Sequence, residues 1–362
     1  MRVGMVCPYS LTLPGGVQNQ VLALARALRR KGHDVRVLAP CDGPPPDAGV
    51  TPLGLSLPAS SNGSVAPVAP DPSAQLRTIR AMRDEAFDVI HLHEPLAPGP
   101  TTTTLLTKPA PLLGTFHMAG KSLSYELMPN VVRYLAARLD DKVAVSEDAR
   151  TMARTYLGGD YDLTFNAVEV RRYDESDAHP TDGPTVFFVG RHEERKGLRV
   201  LLEAAALLPP DVRIWIAGEG PETEALRAAY AGDPRLVWLG AISESEKISR
   251  IKGADVFCAP SLHGESFGIV LLEGMAARTP VVASDIPGYA NAARQGSDAL
   301  LFPAGDAAAL ARSLREVMRD ERRRDALVTS GRERAEEFSM AALADLYLVR
   351  YERILHTVAR RR

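Results

Sequence analysis

The chain has 362 residues, 45% hydrophobic and 24% charged, the make-up of an ordinary globular protein. At roughly 100–200 residues per domain, that length points to two domains. Lys and Arg number 43 against 45 Asp and Glu, and with a net charge of −2 and a pI near 6.5 no global field favours nucleic acid as a partner.

Three cysteines, Cys7, Cys41 and Cys258, lie far apart, which excludes a disulfide framework or a cysteine zinc site and makes a reducing cytoplasm the expected compartment. The opening MRVGMVCPYSLTLPGG lacks a signal-peptide core, and nowhere do eighteen apolar residues run together. Contact with a membrane is expected only from its surface, peripherally at the inner face.

In chain order, a strand at 2–6, a Pro-Gly-Gly turn, a helix at 17–30 and a strand at 34–38 form a βαβ unit, which predicts a parallel sheet. Residues 43–73, rich in Pro, Gly and Ser, read as a long loop and a candidate lid. Further strands are predicted at 88–92, 112–116, 142–145 and 163–165. The polar stretch 171–184 reads as an interdomain connection. The alternation then restarts, with strands at 185–189, 213–217, 236–239, 256–258 and 281–283. Helices are predicted between them at 198–208, 221–230, 244–252 and 267–277, and after them at 307–319. The fold class is therefore α/β, with Rossmann-like domains over 1–168 and 169–339. Residues 340–362 form a helix whose stripe of Leu343, Leu346, Tyr347, Tyr351 and Ile354 needs a partner, either the second domain or, by crossing back, the first.

Four segments carry candidate chemistry. Pro14-Gly15-Gly16, between the first strand and its helix, lets a backbone approach an anion; an ordinary tight turn fits it equally well. It is not GxGxxG, and no ribose-reading residue follows, which counts against a nicotinamide fold. His91, His93 and Glu94 alternate along a strand, but two histidines and one acid do not complete a metal set, and hydrogen-bonded strand-end histidines are the better reading. In Gly190–Gly197 (GRHEERKG), Arg191 and Lys196 project near a helix N-terminus where a diphosphate would be neutralised; taken alone, a solvated charged loop fits slightly better. HGESFGIVLLE, 263–273, sets Glu265 on a loop and Glu273 two turns along a helix. These carboxylates suit sugar and ribose hydroxyls, although a helix-capping glutamate is also common. Trp215 and Trp238, in apolar strands, read as core.

Together, the E-x7-E run, Gly190–Gly197, the Pro-Gly-Gly loop and Thr115-Phe116-His117 resemble the retaining glycosyltransferases of family 4, of GT-B architecture. The opening segment, Asn62-Gly63-Ser64 and DVIHLHEP (88–95) narrow the resemblance to the actinobacterial branch that mannosylates phosphatidyl-inositol. It implies two Rossmann-like domains facing across a cleft, the second holding a nucleotide-sugar and the first the acceptor. By matching position, Arg191, Arg195 and Lys196 would bind the donor diphosphate, with Gly16 approaching it. Glu265 and the Ser266, Phe267, Gly268 and Ile269 backbone would hold the sugar, and Glu273 the ribose. Ile242, Ser243, Glu244 and Lys247 would lie near the base, guanine if the donor is GDP-mannose. His117 would sit over the reacting centre, making His117, Arg191, Lys196 and Glu265 the catalytic set. Gln18, Asn62 and Lys121 would line the acceptor site. The resemblance implies no tightly bound cofactor, and without an Asp-x-Asp motif near the diphosphate candidates the part of a divalent ion stays open.

The chain departs from that pattern at Ser61, where the family has tyrosine, and at Pro67, where it has arginine. Phe165, Asn166 and Ala167 replace a proline and a glycine turn, and the loops His117–Lys121 and Arg191–Lys196 are each one residue short. The family's basic membrane-facing helix is matched by Arg77, Arg80 and Arg83 beside Leu76, Ile79 and Met82. A solvated face or a weak, salt-sensitive contact with an anionic surface both fit this thinner cluster. The expected activity is transfer of a hexose, mannose from GDP-mannose, to phosphatidyl-inositol or a related acceptor in glycolipid biosynthesis. The alternatives are another nucleotide-sugar or a small non-lipid acceptor and, from another class, a non-catalytic sugar-nucleotide or lipid binder. Epimerases share the architecture, but E-x7-E counts against them.

Overall fold

A computed structural model describes residues 1–13, 15–61, 64–118, 120, 123–265 and 267–360. The chain divides into two compact units, Met1–Asn166 with Met340–Arg362, and Ala167–Ser339.

In the first unit, β1 (Arg2–Val6), α1 (Gly16–Arg30), β2 (Asp34–Ala39) and β3 (Val50–Pro52) are followed by a hairpin of β4 (Leu57–Ser61) and β5 (Ser64–Val68). Then come α2 (Pro72–Glu85), β6 (Val89–His93), α3 (Pro100–Thr107), β7 (Leu112–Phe116), α4 (Leu123–Leu127), α5 (Pro129–Ala137), β8 (Asp141–Ala144), α6 (Glu147–Leu157) and β9 (Asp162–Leu163). Among the described residues, seven parallel strands form one sheet in the order β3-β2-β1-β6-β7-β8-β9.

The second unit opens with α7 (Val170–Asp174), inside the stretch expected to be a connection: Val170 and Tyr173 are buried, so this turn belongs to the unit's core. It continues through β10 (Thr185–Val189), α8 (Leu198–Ala205), β11 (Arg213–Ala217), α9 (Thr223–Ala229), β12 (Leu236–Gly240), α10 (Glu244–Gly253), β13 (Val256–Ala259), α11 (Ile269–Ala276) and β14 (Val281–Asp285). β15 (Leu300–Pro303), α12 (Ala307–Arg319) and α13 (Glu321–Glu337) complete it. Its six described strands are parallel in the order β12-β11-β10-β13-β14-β15. The near-continuous apolar runs TVFFV and RIWIA follow from this, because helices cover both faces of a parallel sheet.

The last helix, α14 (Met340–Ala359), packs on α1 in the first unit. Leu343, Tyr347, Tyr351 and Ile354 are buried, Leu346 is half-buried, and Arg350 bridges Asp141 at 3.0 Å and Asp162 at 2.9 Å. The stripe's partner is thus the first unit.

Several expectations need correction. The span 43–73 is not one loop: it carries β3 and the hairpin, and Pro67 lies in β5, its carbonyl accepting from the Ser10 amide at 2.9 Å. The strand expected at 163–165 is β9, ending at Leu163, and α11 begins at Ile269, so Glu273 stands one turn in rather than two. Met82 does not share a face with Leu76 and Ile79. At 100° per residue it falls with Ala74 and Thr78 on the buried side, while Leu76, Ile79, Arg80 and Arg83 share the outer one. Arg77 is tethered to the Leu53 carbonyl at 2.7 Å, and Arg80 and Arg83 flank Asp84. Trp215 is core, but Trp238 is only half-buried, with the Arg227 guanidinium 5.4 Å from its ring centre.

Candidate active site

In each sheet the strand order reverses once, between β1 and β6 in the first unit and between β10 and β13 in the second. Ligands of such folds bind outside the carboxyl ends of the strands at that reversal, where the loops splay apart. Gly190–Gly197 leaves β10 and residues 260–268 leave β13, so the two motifs expected to bind the donor flank one reversal point.

Their charged groups meet there. Lys196 Nζ lies 2.5 Å from Glu265 Oε1, and Arg195 Nη1 lies 3.6 Å from the same oxygen. Ser261 Oγ donates to that oxygen at 3.1 Å and accepts from the Tyr289 hydroxyl at 2.9 Å. Glu265 is therefore held from two sides, with its cations beside it. The turn depends on glycines: Gly197 has φ +67°, and a Cβ there would come 1.9 Å from the Pro260 carbonyl oxygen. Gly268, at φ +87°, caps α11. Its buried position against Tyr289 leaves the first amides of the helix at the loop.

One turn into α11, Glu273 takes a 2.8 Å ion pair from Lys247, which bonds Glu244 at the same distance. Burial alone would lower the Lys247 pKa, but Glu273 and Glu244 outweigh it and hold the ammonium above its usual range. Ser243 caps α10 by accepting from the Glu246 amide at 3.1 Å, which fixes the first turn that carries Glu244 and Lys247.

In the first unit, the carboxyl ends of β1, β6 and β7 carry Gly15–Gln18, Glu94 and His117. Gln18 is buried, its amide 3.4 Å from the Ser10 carbonyl and 3.5 Å from that of Leu13. Gly16 is exposed at the first position of α1, with nothing within 4 Å of an added Cβ. Glu94 is buried at φ +47°, a backbone conformation that strains a non-glycine residue and tends to occur at functional sites. One of its carboxylate oxygens accepts the amides of both His117, at 2.6 Å, and Met118. Burial pushes the Glu94 carboxyl up to about 7 despite these two donors. Burial also brings His117 down to about 4, against a hydrogen bond that its ring donates to the Asn166 side chain, which raises it. His93 Nδ1 lies 3.1 Å from His117 Nε2.

Known proteins decide what these features belong to. The family described as Glycosyltransferase Family 4 matches residues 14–172, and Glycosyl transferases group 1 matches 169–334. The phosphatidyl-myo-inositol mannosyltransferase of Mycobacterium leprae is 39% identical over 370 residues, covering 98% of this chain and 97% of that one. Its counterpart in Mycolicibacterium smegmatis is 38% identical over 364 residues, covering 98% and 94%. The chain belongs to glycosyltransferase family 4. Among solved structures, a sucrose-phosphate synthase from Thermosynechococcus elongatus has a TM-score of 0.73 at 20% identity, covering 98% of this chain and 99% of that one. Anabaena HepE in complex with UDP and glucose has 0.71 at 16%, covering 97% and 99%. At those identities the likeness is one of fold: the GT-B architecture.

Within this glycosyltransferase, the predicted residues fall into three groups. Arg195, Lys196 and Glu265 are brought together, as are Glu244, Lys247 and Glu273. Arg191 is exposed and lies 3.6 Å from Glu193, which pairs with Arg195 at 2.6 Å and so links Arg191 to the Glu265 cluster. Phe267 packs edge-to-face on Phe338, Ile242 and Ile269 are half-buried, and Gly268 is buried. Pro14, Asn62, Lys121, Ser266 and the Ser61 side chain lie outside the described residues. His91 and His93 bond to side chains, His91 to Tyr351 and Thr115 and His93 to His117. Ser261, Tyr289, Glu193 and the anchoring role of Glu94 were not foreseen. Glu94 had a signal, a buried acid directly after a histidine-bearing strand, whereas Ser261 and Tyr289 had none.

Proposed function

We propose that this glycosyltransferase moves mannose from GDP-mannose to the inositol ring of phosphatidyl-inositol, with the anomeric configuration retained. The observation that carries this reading is the full-length likeness, at 36–39% identity, to mycobacterial proteins named for mannosyl transfer to phosphatidyl-myo-inositol.

The chemistry is assigned as follows. Arg195 and Lys196, with Arg191, neutralise the charge that grows on the diphosphate as the bond to the sugar's anomeric carbon breaks. Glu265 accepts from the sugar hydroxyls, and Glu273, ion-paired to Lys247, accepts from the ribose. The inositol hydroxyl attacks the oxocarbenium-like carbon on the face the diphosphate leaves, and its proton passes to the departing phosphate oxygen. None of the matched side chains is required as a covalent nucleophile, so positioning and electrostatics supply the rate. Leu76, Ile79, Arg80 and Arg83, on the outer face of α2, meet an anionic membrane surface.

A second reading rests on Pro67 and on a 27% likeness, over 92% of this chain, to a D-inositol 3-phosphate glycosyltransferase of Xylanimonas cellulosilytica. It keeps the chemistry and replaces the lipid with a free inositol phosphate. A thermal-shift series with GDP, UDP and ADP tests the donor, because a ligand that binds only the folded protein raises its melting temperature. GDP and GDP-mannose alone should shift it, and a selective UDP or ADP shift would discard the donor.

A further inference from the structure

His91 and His93 share one face of β6 and are both buried, and the transfer chemistry above uses neither. With His117 they form a column of rings, centroids 4.2 and 5.3 Å apart and each pair inclined by 26°. At its base, His91 Nδ1 lies 2.8 Å from the Tyr351 hydroxyl and Nε2 lies 2.7 Å from Thr115 Oγ1, which is 2.9 Å from the Tyr347 hydroxyl. At its head stands the 3.1 Å contact from His93 Nδ1 to His117 Nε2. His93 Nε2 is buried with no partner among the described residues.

That orphan atom decides where the protons lie. Burial, the first cause for each ring, lowers the pKa of all three histidines, so each is a neutral imidazole with one N–H. A His93 proton on Nε2 would bury an N–H with nothing to receive it, and orphaned donors are rarer than under-used acceptors. Placed on Nδ1, the proton is donated to His117 Nε2, and only a lone pair goes unmatched. His117, accepting at Nε2, then carries its own proton on Nδ1, and the Asn166 side chain is the ring's other partner.

We propose that His93 is a positioning residue for sugar transfer: it donates through Nδ1 to His117 Nε2 and so fixes His117 as the neutral Nδ1–H tautomer, that N–H given to the Asn166 side chain and the ring held in one orientation between the two. This rests on the reading of His117 as the residue beside the transferred sugar. Tyr347 and Tyr351 of α14 hold the base of the column, so the C-terminal helix takes part in orienting it.

Nitrogen NMR of the full chain with 15N-labelled histidine reads the tautomer directly, His117 being assigned from the signals lost in His117→Gln. At neutral pH the wild type should show His117 Nδ1 protonated and Nε2 bare; a protonated Nε2 or an imidazolium overturns the proposal. In transfer assays His93→Leu should lower kcat about 10- to 100-fold through misorientation, with the donor KM within about twofold. His93→Asn, whose amide nitrogen can stand near the Nδ1 position, should recover most of that loss. A folded His93→Leu protein with wild-type kcat, or equal losses in both variants, overturns the proposal. If His93→Leu does not fold, the wild-type spectrum and His93→Asn decide. If no donor and acceptor pair gives transfer, the proposed function fails while the spectrum still decides the tautomer.

Discussion

Replacing Glu94 by glutamine should change how stability depends on pH. Glu94 is buried at the carboxyl end of β6, and its carboxyl is raised by burial from an ordinary 4.5 to about 7. A carboxyl whose folded pKa lies above its unfolded one binds its proton more tightly when folded, so stability is highest below the unfolded value and falls as pH rises toward 7. At about 1.4 kcal/mol per pH unit, the interval from 4.5 to about 7 corresponds to a loss of about 3 kcal/mol. Glutamine keeps a carbonyl oxygen for the His117 and Met118 amides and carries no charge at any pH. Glu94→Gln should therefore remove that decline and be more stable than the wild type at pH 8. Urea unfolding followed by circular dichroism at pH 5, 6, 7 and 8 measures it. Both tryptophans, Trp215 and Trp238, lie in the second unit, so their fluorescence follows that unit and serves as the internal reference. Parallel pH profiles for wild type and variant would refute the reasoning, because Glu94 would then ionise as easily folded as unfolded.

Gly197→Ala should destabilise the second unit by about 3 kcal/mol or more, combining a left-handed φ with a Cβ 1.9 Å from the Pro260 carbonyl oxygen; the tryptophan fluorescence midpoint in urea reads this. Lys247→Met should leave Glu273 and Glu244 without their shared cation, costing about 3 kcal/mol in the same assay and raising the donor KM. Arg80→Ala with Arg83→Ala should weaken sedimentation with anionic vesicles about 30-fold at low salt, at roughly 1 kcal/mol per arginine. Arg77→Ala should change it far less, since that guanidinium is tied to the Leu53 carbonyl.

The parallel strands were the most legible part of the fold. β7, β10 and β11 have the bounds their sequences suggest, because strands buried on both faces are short, unbroken apolar runs. The hairpin was hidden because Leu57–Val68 is dominated by Pro, Ser and Ala, which are poor strand formers; Asn62-Gly63 between its arms was the hairpin signal to weigh. Met82 was misplaced because hydrophobicity alone does not say which side of a helix the sheet will cover. Of the site, Lys196, Glu265, Lys247 and Glu273 could be read from motifs, since each lies within a few residues of a glycine turn or a helix start. Ser261 and Tyr289 meet Glu265 only through the packing of the β13 exit loop, and the Tyr351–His91 contact joins residues 260 positions apart. Pairings of that kind are made by topology and leave no local pattern.

The most direct measurement incubates the purified chain with isotopically labelled GDP-mannose and phosphatidyl-inositol vesicles, with inositol 3-phosphate and UDP-glucose as competing substrates. The glycolipid product is then examined by mass spectrometry and by NMR of its anomeric carbon. The account predicts a single mannose on the inositol ring in the same anomeric configuration as the donor, lost in Lys196→Ala. Transfer to inositol 3-phosphate in preference to the lipid, transfer from UDP-glucose instead of GDP-mannose, or an inverted linkage would contradict it.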